Sequence, residues 1–119
     1  VVQFERRAHP RKPAKGSVEF QSVGTKQQRT YHGKVTNVSD GGLMLTTMFG
    51  GLFAPGSKPV GKAVQMNLTL LSYNIPNLGG QVCHAFPHPK LREIVVVNLS
   101  WANVTPGAKR RISEIVRRI

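Results

Sequence analysis

Short runs in which apolar and polar residues alternate are the feature of this sequence that most limits its fold. The clearest run places Val64, Met66, Leu68 and Leu70 at every second position. Because successive side chains of a β-strand point to opposite faces, this spacing predicts a strand with one buried face. Similar runs, bounded by Gly, Pro, Asn and Ser, follow one another from Ser17 onward. The sequence therefore predicts a predominantly β fold.

Six such runs fit into this chain of 119 residues. We expect strands at about 18–23, 30–38, 43–47, 64–70, 81–86 and 92–99. Turns are expected between them at 24–28, 40–42, 74–80 and 87–90, together with a long surface loop at 48–61 that is rich in Gly and Pro. Regularly spaced short strands favour a closed or nearly closed six-stranded antiparallel barrel, because closure removes exposed strand edges.

The pattern changes to a helical period at the end of the sequence. Thr105 is placed to cap a helix, and Pro106 suits its first turn. The apolar residues that follow at helical spacing are Ile112, Ile115, Val116 and Ile119. We therefore expect a single domain with a flexible basic arm at 1–15, a barrel at 16–104 and an amphipathic C-terminal helix at 105–119 that packs on the barrel.

Basic residues dominate the charge and point to an anionic partner. Seventeen Lys and Arg against five Asp and Glu give a formal net charge of +12, which attracts the phosphates of nucleotides, nucleic acids or lipid headgroups. So few acids leave little for paired-carboxylate catalysis, and we expect no enzyme activity and no catalytic residues. Cys83, His84 and His88 match no standard zinc spacing, so neither a metal site nor a cofactor is expected.

An arginine pair lies in the basic arm, where Arg7-x-x-x-Arg11 directly follows Arg6. A guanidinium group pairs with phosphate through two hydrogen bonds, stacks on aromatic bases and donates to the O6 and N7 acceptors of guanine. A compact ligand that carries phosphates and guanines would use all three contacts. Taken alone, the pair is more typical of an arm that is basic for solubility or for loose anion binding.

A second polar motif, Asn37-x-Ser39-x-x-Gly42, lies where the second strand is expected to end. Because side chains alternate along a strand, we expect Asn37 and Ser39 to point to the same side and to offer an amide and a hydroxyl to one ligand. Gly42 would permit unusual backbone angles and leave room for a flat ring against the main chain. Taken alone, these residues are also typical of an ordinary hairpin turn.

In their order and spacing, the two motifs resemble those of the PilZ domain, a receptor family for cyclic di-GMP. Residues 7–11 and 37–42 match all five defining positions, with Asn where the family has Asp or Asn. The arm, the six strands and the C-terminal helix resemble the PilZ barrel over nearly the whole chain. The long 48–61 loop departs from the usual strand connection.

The resemblance implies that cyclic di-GMP lies across the barrel surface while the arm folds over it. The arginines of the first motif would hold phosphates and guanine edges, and the second motif would contact a guanine. Arg6 resembles an extra arginine that helps some members hold the ligand as a self-stacked dimer, and His84 is a further candidate for lining the groove. The implied ligand-binding residues are Arg6, Arg7, Arg11, Asn37, Ser39 and Gly42.

The resemblance also implies a regulatory role, in which ligand binding orders the arm and controls an adjoining or partner output domain. Cellulose or exopolysaccharide synthesis and motility are the expected outputs. No transmembrane run or signal peptide is evident in this fragment, so we expect the bacterial cytoplasm, or the cytoplasmic face of the inner membrane within a larger protein. The alternative is a small basic barrel that binds single-stranded nucleic acid nonspecifically, although clustered aromatic platforms are lacking and no nucleic acid partner is expected.

Overall fold

The computed structural model describes residues 12–24 and 29–119. In this part of the chain, six antiparallel strands form a closed barrel in the order β1-β2-β3-β6-β5-β4, and an α-helix follows them. The strands are β1 (Lys12–Ser22), β2 (Thr30–Val38), β3 (Gly42–Met48), β4 (Ala63–Leu70), β5 (Tyr73–Pro87) and β6 (Ile94–Trp101), and the helix is α1 (Pro106–Arg118). The predicted barrel and terminal helix are confirmed.

The alternating runs of the sequence become the inner and outer faces of the barrel. In β4, Val64, Met66, Leu68 and Leu70 are all buried, whereas the residues between them are exposed or half-buried. Equivalent inward rows come from the other strands and merge into one core cluster, to which α1 also contributes. Removal of this apolar surface from water is the main term that stabilises the fold.

The barrel begins earlier than expected, at Lys12 rather than at residue 16. Strand β1 begins at Lys12, which pairs with Val38, and Pro13 pairs with Asn37. The register then shifts before Gly16 pairs with Val35. Proline is tolerated at the beginning of a strand or at a bulge, because it has no ladder hydrogen bond to donate there. Residues 12–15, expected in the arm, therefore belong to the sheet.

The turn predicted at 74–80 is wrong, because β5 runs through this segment. The reversal lies one step earlier, at Leu71 and Ser72, between the paired residues Leu70 and Tyr73. The glycines that suggested a turn allow close packing instead. A Cβ on Gly79 would lie 2.1 Å from the main-chain oxygen of Ala102.

The 48–61 loop carries a plug for one end of the barrel. Its single 3-10 turn, Gly51–Phe53, inserts Phe53 into the core, where only 2% of the residue is exposed. The Phe53 ring packs edge-on against Phe20 and Tyr31, with centroids 6.0 and 5.7 Å apart. The Tyr31 hydroxyl accepts a 2.6 Å hydrogen bond from the Leu52 amide. The predicted loop is thus irregular, but Phe53 and Leu52 anchor it to the core.

Helix α1 packs at the opposite end. Because all neighbouring strands are antiparallel, the turn after β2, the hairpin between β4 and β5, and the exit from β6 share this end, which we call the helix end. The Thr105 hydroxyl accepts from the Ala108 amide over 3.2 Å and caps α1, as predicted. Buried Ile112, Ile115 and Val116 hold it on the core. Within the described residues, no helix is long and apolar enough to cross a membrane.

Candidate functional site

The turn between β2 and β3 is built around the side chain of Ser39. Its hydroxyl accepts hydrogen bonds from the amides of Gly41 and Gly42, at 3.1 and 3.2 Å, and donates to the Gly42 oxygen at 3.3 Å. A hydroxyl has one donor and two acceptor positions, so this turn occupies all of them. The predicted hairpin is confirmed. Ser39, which is 3% exposed, acts in this structure as the residue that holds the turn together.

Gly42 is required for a different reason from the one expected. Its φ does not lie in the left-handed region, so the interpretation in terms of unusual backbone angles is wrong. A Cβ at this position would lie 1.9 Å from the main-chain oxygen of Leu99. The space beside its Cα, expected to receive a flat ring, is therefore filled by β6. Gly42 lets β6 approach the start of β3, where it pairs with Ser100.

Asn37 carries an unusual buried acceptor. A register shift between Val35 and Asn37 interrupts the β2–β3 ladder, and β2 ends at Val38, so regular alternation does not extend from Asn37 to Ser39. The Asn37 Nδ2 lies 3.6 Å from the Met44 sulfur, a weak contact. Its Oδ1 is buried without a hydrogen-bond partner, the only such side-chain atom found in the described residues. An unpaired buried acceptor costs about 1–3 kcal/mol.

A row of residues on the outer side of the strands continues from Asn37, which is half-buried like Met44, through the buried Asn98 to the exposed His84. Asn37 pairs with Met44, Met44 with Asn98, and Asn98 with His84. The flanking residues Val38, Leu43, Leu45, Val97 and Leu99 are buried in the core. Three interstrand gaps give this row a length of about 14 Å. His84 was a candidate from the sequence, whereas Met44 and Asn98 were missed because only the strand register reveals them.

The turn of the second motif is tied to the helix end. The Trp101 amide donates to the Gly41 oxygen over 3.0 Å, and its indole Nε1 donates to the Ser39 oxygen over 3.2 Å. The Ser113 hydroxyl of α1 donates to Asp40 Oδ1 over 2.8 Å. Hydrogen bonds from β6 and α1 thus fix the position of the turn. None of these partners was predicted, since each lies far away in sequence.

The first motif lies outside the described residues, and so do its Arg6, Arg7 and Arg11. The structure nevertheless fixes where the chain enters the barrel. Lys12, the residue after Arg11, pairs with Val38 between Asn37 and Ser39. The sequence that carries the arginines is therefore attached to the barrel directly beside the second motif.

Two other kinds of site, a metal site and a base-stacking surface, can be tested against the described residues. No group of three or more His, Cys, Asp or Glu among them is placed to hold a metal ion. The stacked rings of Phe20 and Tyr31 and the neighbouring Phe53 are buried in the core. These three rings are therefore unavailable for base stacking, and the exposed Phe86 is the described aromatic residue that is most open to solvent.

Comparisons with solved structures reveal the same architecture. The PilZ domain of YcgR from Escherichia coli, solved with c-di-GMP, superposes with a TM-score of 0.73 at 14% identity, covering 96% of this chain and 91% of that one. The Bacillus subtilis inhibitor of motility MotI/DgrA gives 0.71 at 16% identity, with 97% and 51% covered. Apo MrkH of K. pneumonia gives 0.72 at 18% identity, with 99% and 53% covered. The chain thus spans about half the length of the last two.

The sequence itself provides the family assignment. No curated protein matches it significantly. At such low identities the structural matches establish the fold alone. The family model described as the PilZ domain, however, matches residues 5–118, nearly the whole chain and both motifs. The chain belongs to the PilZ domain family, a family of non-catalytic cyclic di-GMP receptors.

Proposed function

We propose that this domain binds cyclic di-GMP at the junction of its N-terminal segment and the β2–β3 turn, and that binding regulates an attached or partner protein. The unpaired Oδ1 of Asn37 carries this proposal. A guanine presents N–H donors along one edge, and one of them would satisfy the buried acceptor. The free energy lost in the unliganded protein would then be recovered only with a ligand that has donors at this position.

The arginines supply the second half of the site. A trans peptide joins neighbouring Cα atoms over about 3.8 Å, so Arg11 is attached close to the Asn37 position. Arg7, four residues earlier, is within reach of a ligand on the same surface. In this proposal Arg7 and Arg11 bind phosphates and guanine edges through their planar donor groups, which lysine does not replace.

Ser39 and Gly42 then act as positioning residues. The hydroxyl of Ser39 is fully used within the turn, and Gly42 brings β6 against β3. Both hold Asn37 beside the place where the chain enters β1. Any contact of these two residues with the ligand is made through the main chain of the turn in this proposal.

In this proposal the ligand lies over the cross-strand row that runs from Asn37 to His84. Its length of about 14 Å is suited to an extended dinucleotide. The exposed His84 stands at the far end. Arg6, next to the paired arginines, is assigned the role of holding a second, self-stacked ligand molecule, so that two molecules bind per domain.

The output in this proposal is control of a neighbouring protein. A segment that becomes ordered only when ligand arrives couples binding to whatever is attached to it. MotI is described as an inhibitor of motility and MrkH as a transcription regulatory factor, and each is about twice as long as this chain. We expect a comparable output, in motility, transcription, or cellulose or other exopolysaccharide synthesis, carried by an adjoining or separate protein in the bacterial cytoplasm or on the inner membrane.

The test is a calorimetric titration with cyclic di-GMP. The wild-type chain is expected to bind saturably and to reject cyclic di-AMP. Arg7→Ala and Arg11→Ala are expected to abolish binding while circular dichroism remains that of the folded barrel. Arg92→Ala, which removes an exposed cation between β5 and β6, is the control and should bind normally.

Unchanged affinity in both arginine variants would reject the site. Binding that weakens steeply with salt and accepts any single-stranded oligonucleotide would instead support the nucleic-acid alternative. Because cyclic di-GMP recognition depends on its bases as well as its charge, oligonucleotides should compete poorly. A stoichiometry of one rather than two would remove the role assigned to Arg6.

A further inference from the structure

The hairpin between β4 and β5 presents an exposed leucine in a strained conformation. Leu71 has a φ of 55° and is 56% exposed. The left-handed region is unfavourable for residues other than glycine, and asparagine tolerates it best among them. The other described non-glycine residues with positive φ are indeed asparagines, Asn77 and Asn103. A leucine at this tip lowers both stability and solubility, which points to a function for its side chain.

Basic residues come close to this tip at the helix end. The Leu71 amide donates to the main-chain oxygen of Lys15 over 3.3 Å. Two residues after the leucine, the Tyr73 hydroxyl accepts a 3.0 Å hydrogen bond from Arg118 Nη1. This bond is the main reason why the pKa of the Arg118 guanidinium lies above its ordinary value. Arg117 is exposed beside it, and Glu114 is the only acid in α1.

We propose that Leu71, Tyr73, Lys15, Arg117 and Arg118 form a surface that docks on an anionic lipid bilayer. The three cations match the charge of the headgroups. Tyrosine favours the membrane interface, because its ring is apolar and its hydroxyl polar. Leu71, at the tip, enters the apolar layer below. A nucleic acid would engage the same cations but offers the leucine no apolar environment, which is why a bilayer fits better.

This inference goes beyond the proposed function and does not rest on it, since none of its five residues is assigned to the ligand. The two surfaces are nevertheless close, because the β2–β3 turn and the β4–β5 hairpin share the helix end. Docking here would hold the cyclic di-GMP site near the membrane.

The experiment is flotation of the full chain with vesicles of phosphatidylcholine alone or mixed with phosphatidylglycerol. We expect binding only to the anionic vesicles. Arg117→Gln and Arg118→Gln should each weaken it about fivefold at low salt. Leu71→Asn should weaken it about fivefold as well, since burial of the exposed part of a leucine is lost.

Leu91→Asn is the matched control. Leu91 is 55% exposed, but it lies between β5 and β6 at the opposite end of the barrel, and this variant should float like the wild type. The melting temperature of Leu71→Asn should not fall, because asparagine relieves the backbone strain, so weaker flotation cannot be attributed to misfolding. Equal flotation of the two asparagine variants would overturn the proposal. Binding to vesicles of phosphatidylcholine alone would also overturn it. Equal affinity of wild type and Leu71→Asn for the anionic vesicles would do the same.

Discussion

The indole Nε1 of Trp101 donates a 3.2 Å hydrogen bond to the main-chain oxygen of Ser39, 62 residues away in sequence. Since Trp101 is the last residue of β6 and Ser39 the first of the β2–β3 turn, this bond fixes the turn to the end of the barrel. The β2–β3 turn directly follows the end of β2 and so helps to hold Asn37, whose buried Oδ1 is central to the proposed ligand site. Trp101 is therefore a residue that supports the site without belonging to either motif.

Trp101→Phe is expected to lower the free energy of unfolding by about 1 kcal/mol, because the partly buried Ser39 oxygen loses its donor while most of the ring packing remains. Urea denaturation measures this change. Ser113→Ala removes an exposed hydrogen bond to Asp40 on the same turn and should cost less. Equal stability of Trp101→Phe and wild type would mean that the indole bond does not stabilise the turn.

Asn37→Leu is expected to separate stability from binding. Leucine has a similar size and no polar atom, so the unliganded protein should gain about 1 kcal/mol when the unpaired acceptor is removed. Cyclic di-GMP binding should be lost, because nothing remains to accept from guanine. Denaturation and calorimetry measure the two effects. Asn74→Leu, on an exposed position of β5, should change neither appreciably.

An Asn37→Leu variant that is less stable than wild type would contradict this interpretation of the buried oxygen. It would mean that Asn37 has a stabilising role in the unliganded barrel. Retained binding in a folded Asn37→Leu variant would instead contradict its role in the proposed site.

Gly42→Ala is expected to destabilise the barrel by about 2 kcal/mol or more, because the new methyl group meets the Leu99 oxygen and β6 must shift. Thermal unfolding measures the loss. Gly107→Ala is the matched control, since a Cβ there meets no atom within 4 Å and alanine favours the first turn of α1. It should leave stability unchanged or raise it. Similar effects of both changes would argue against close packing at Gly42.

Local patterns in the sequence were sufficient for much of the fold. The alternation at Val64 to Leu70 identified a strand and its buried face, and the spacing from Ile112 to Ile119 identified the packed face of α1. The capping role of Thr105 was also correct, since a cap depends on residues only three positions apart. The β2–β3 hairpin followed from its turn residues for the same reason.

Features that depend on distant contacts were not predictable. Gly79 and Gly80 suggested a turn, yet the main chain of Ala102 and the side chain of Met66 approach them within a continuous strand. The site shows the same limit. Asn37 was identified from a motif, but its neighbours Met44 and Asn98 follow only from the strand register. Turns and helix caps can be predicted because they depend on residues that are near in sequence. The close packing of glycines against other strands and the rows of residues across strands depend on how the barrel closes.

Phe53→Ala tests whether the 48–61 loop is a structural plug remote from the ligand. Loss of the buried ring between Phe20 and Tyr31 is expected to cost about 3–5 kcal/mol of unfolding free energy, measured by denaturation. Val60→Ala, at a residue of the same loop that is 60% exposed, is the control and should change stability by less than about 0.5 kcal/mol. Because the plug and the β2–β3 turn lie at opposite ends of the barrel, cyclic di-GMP affinity should be unchanged at temperatures where Phe53→Ala remains folded. A matching loss of affinity in the folded variant would show that the loop acts on the site as well as on the core.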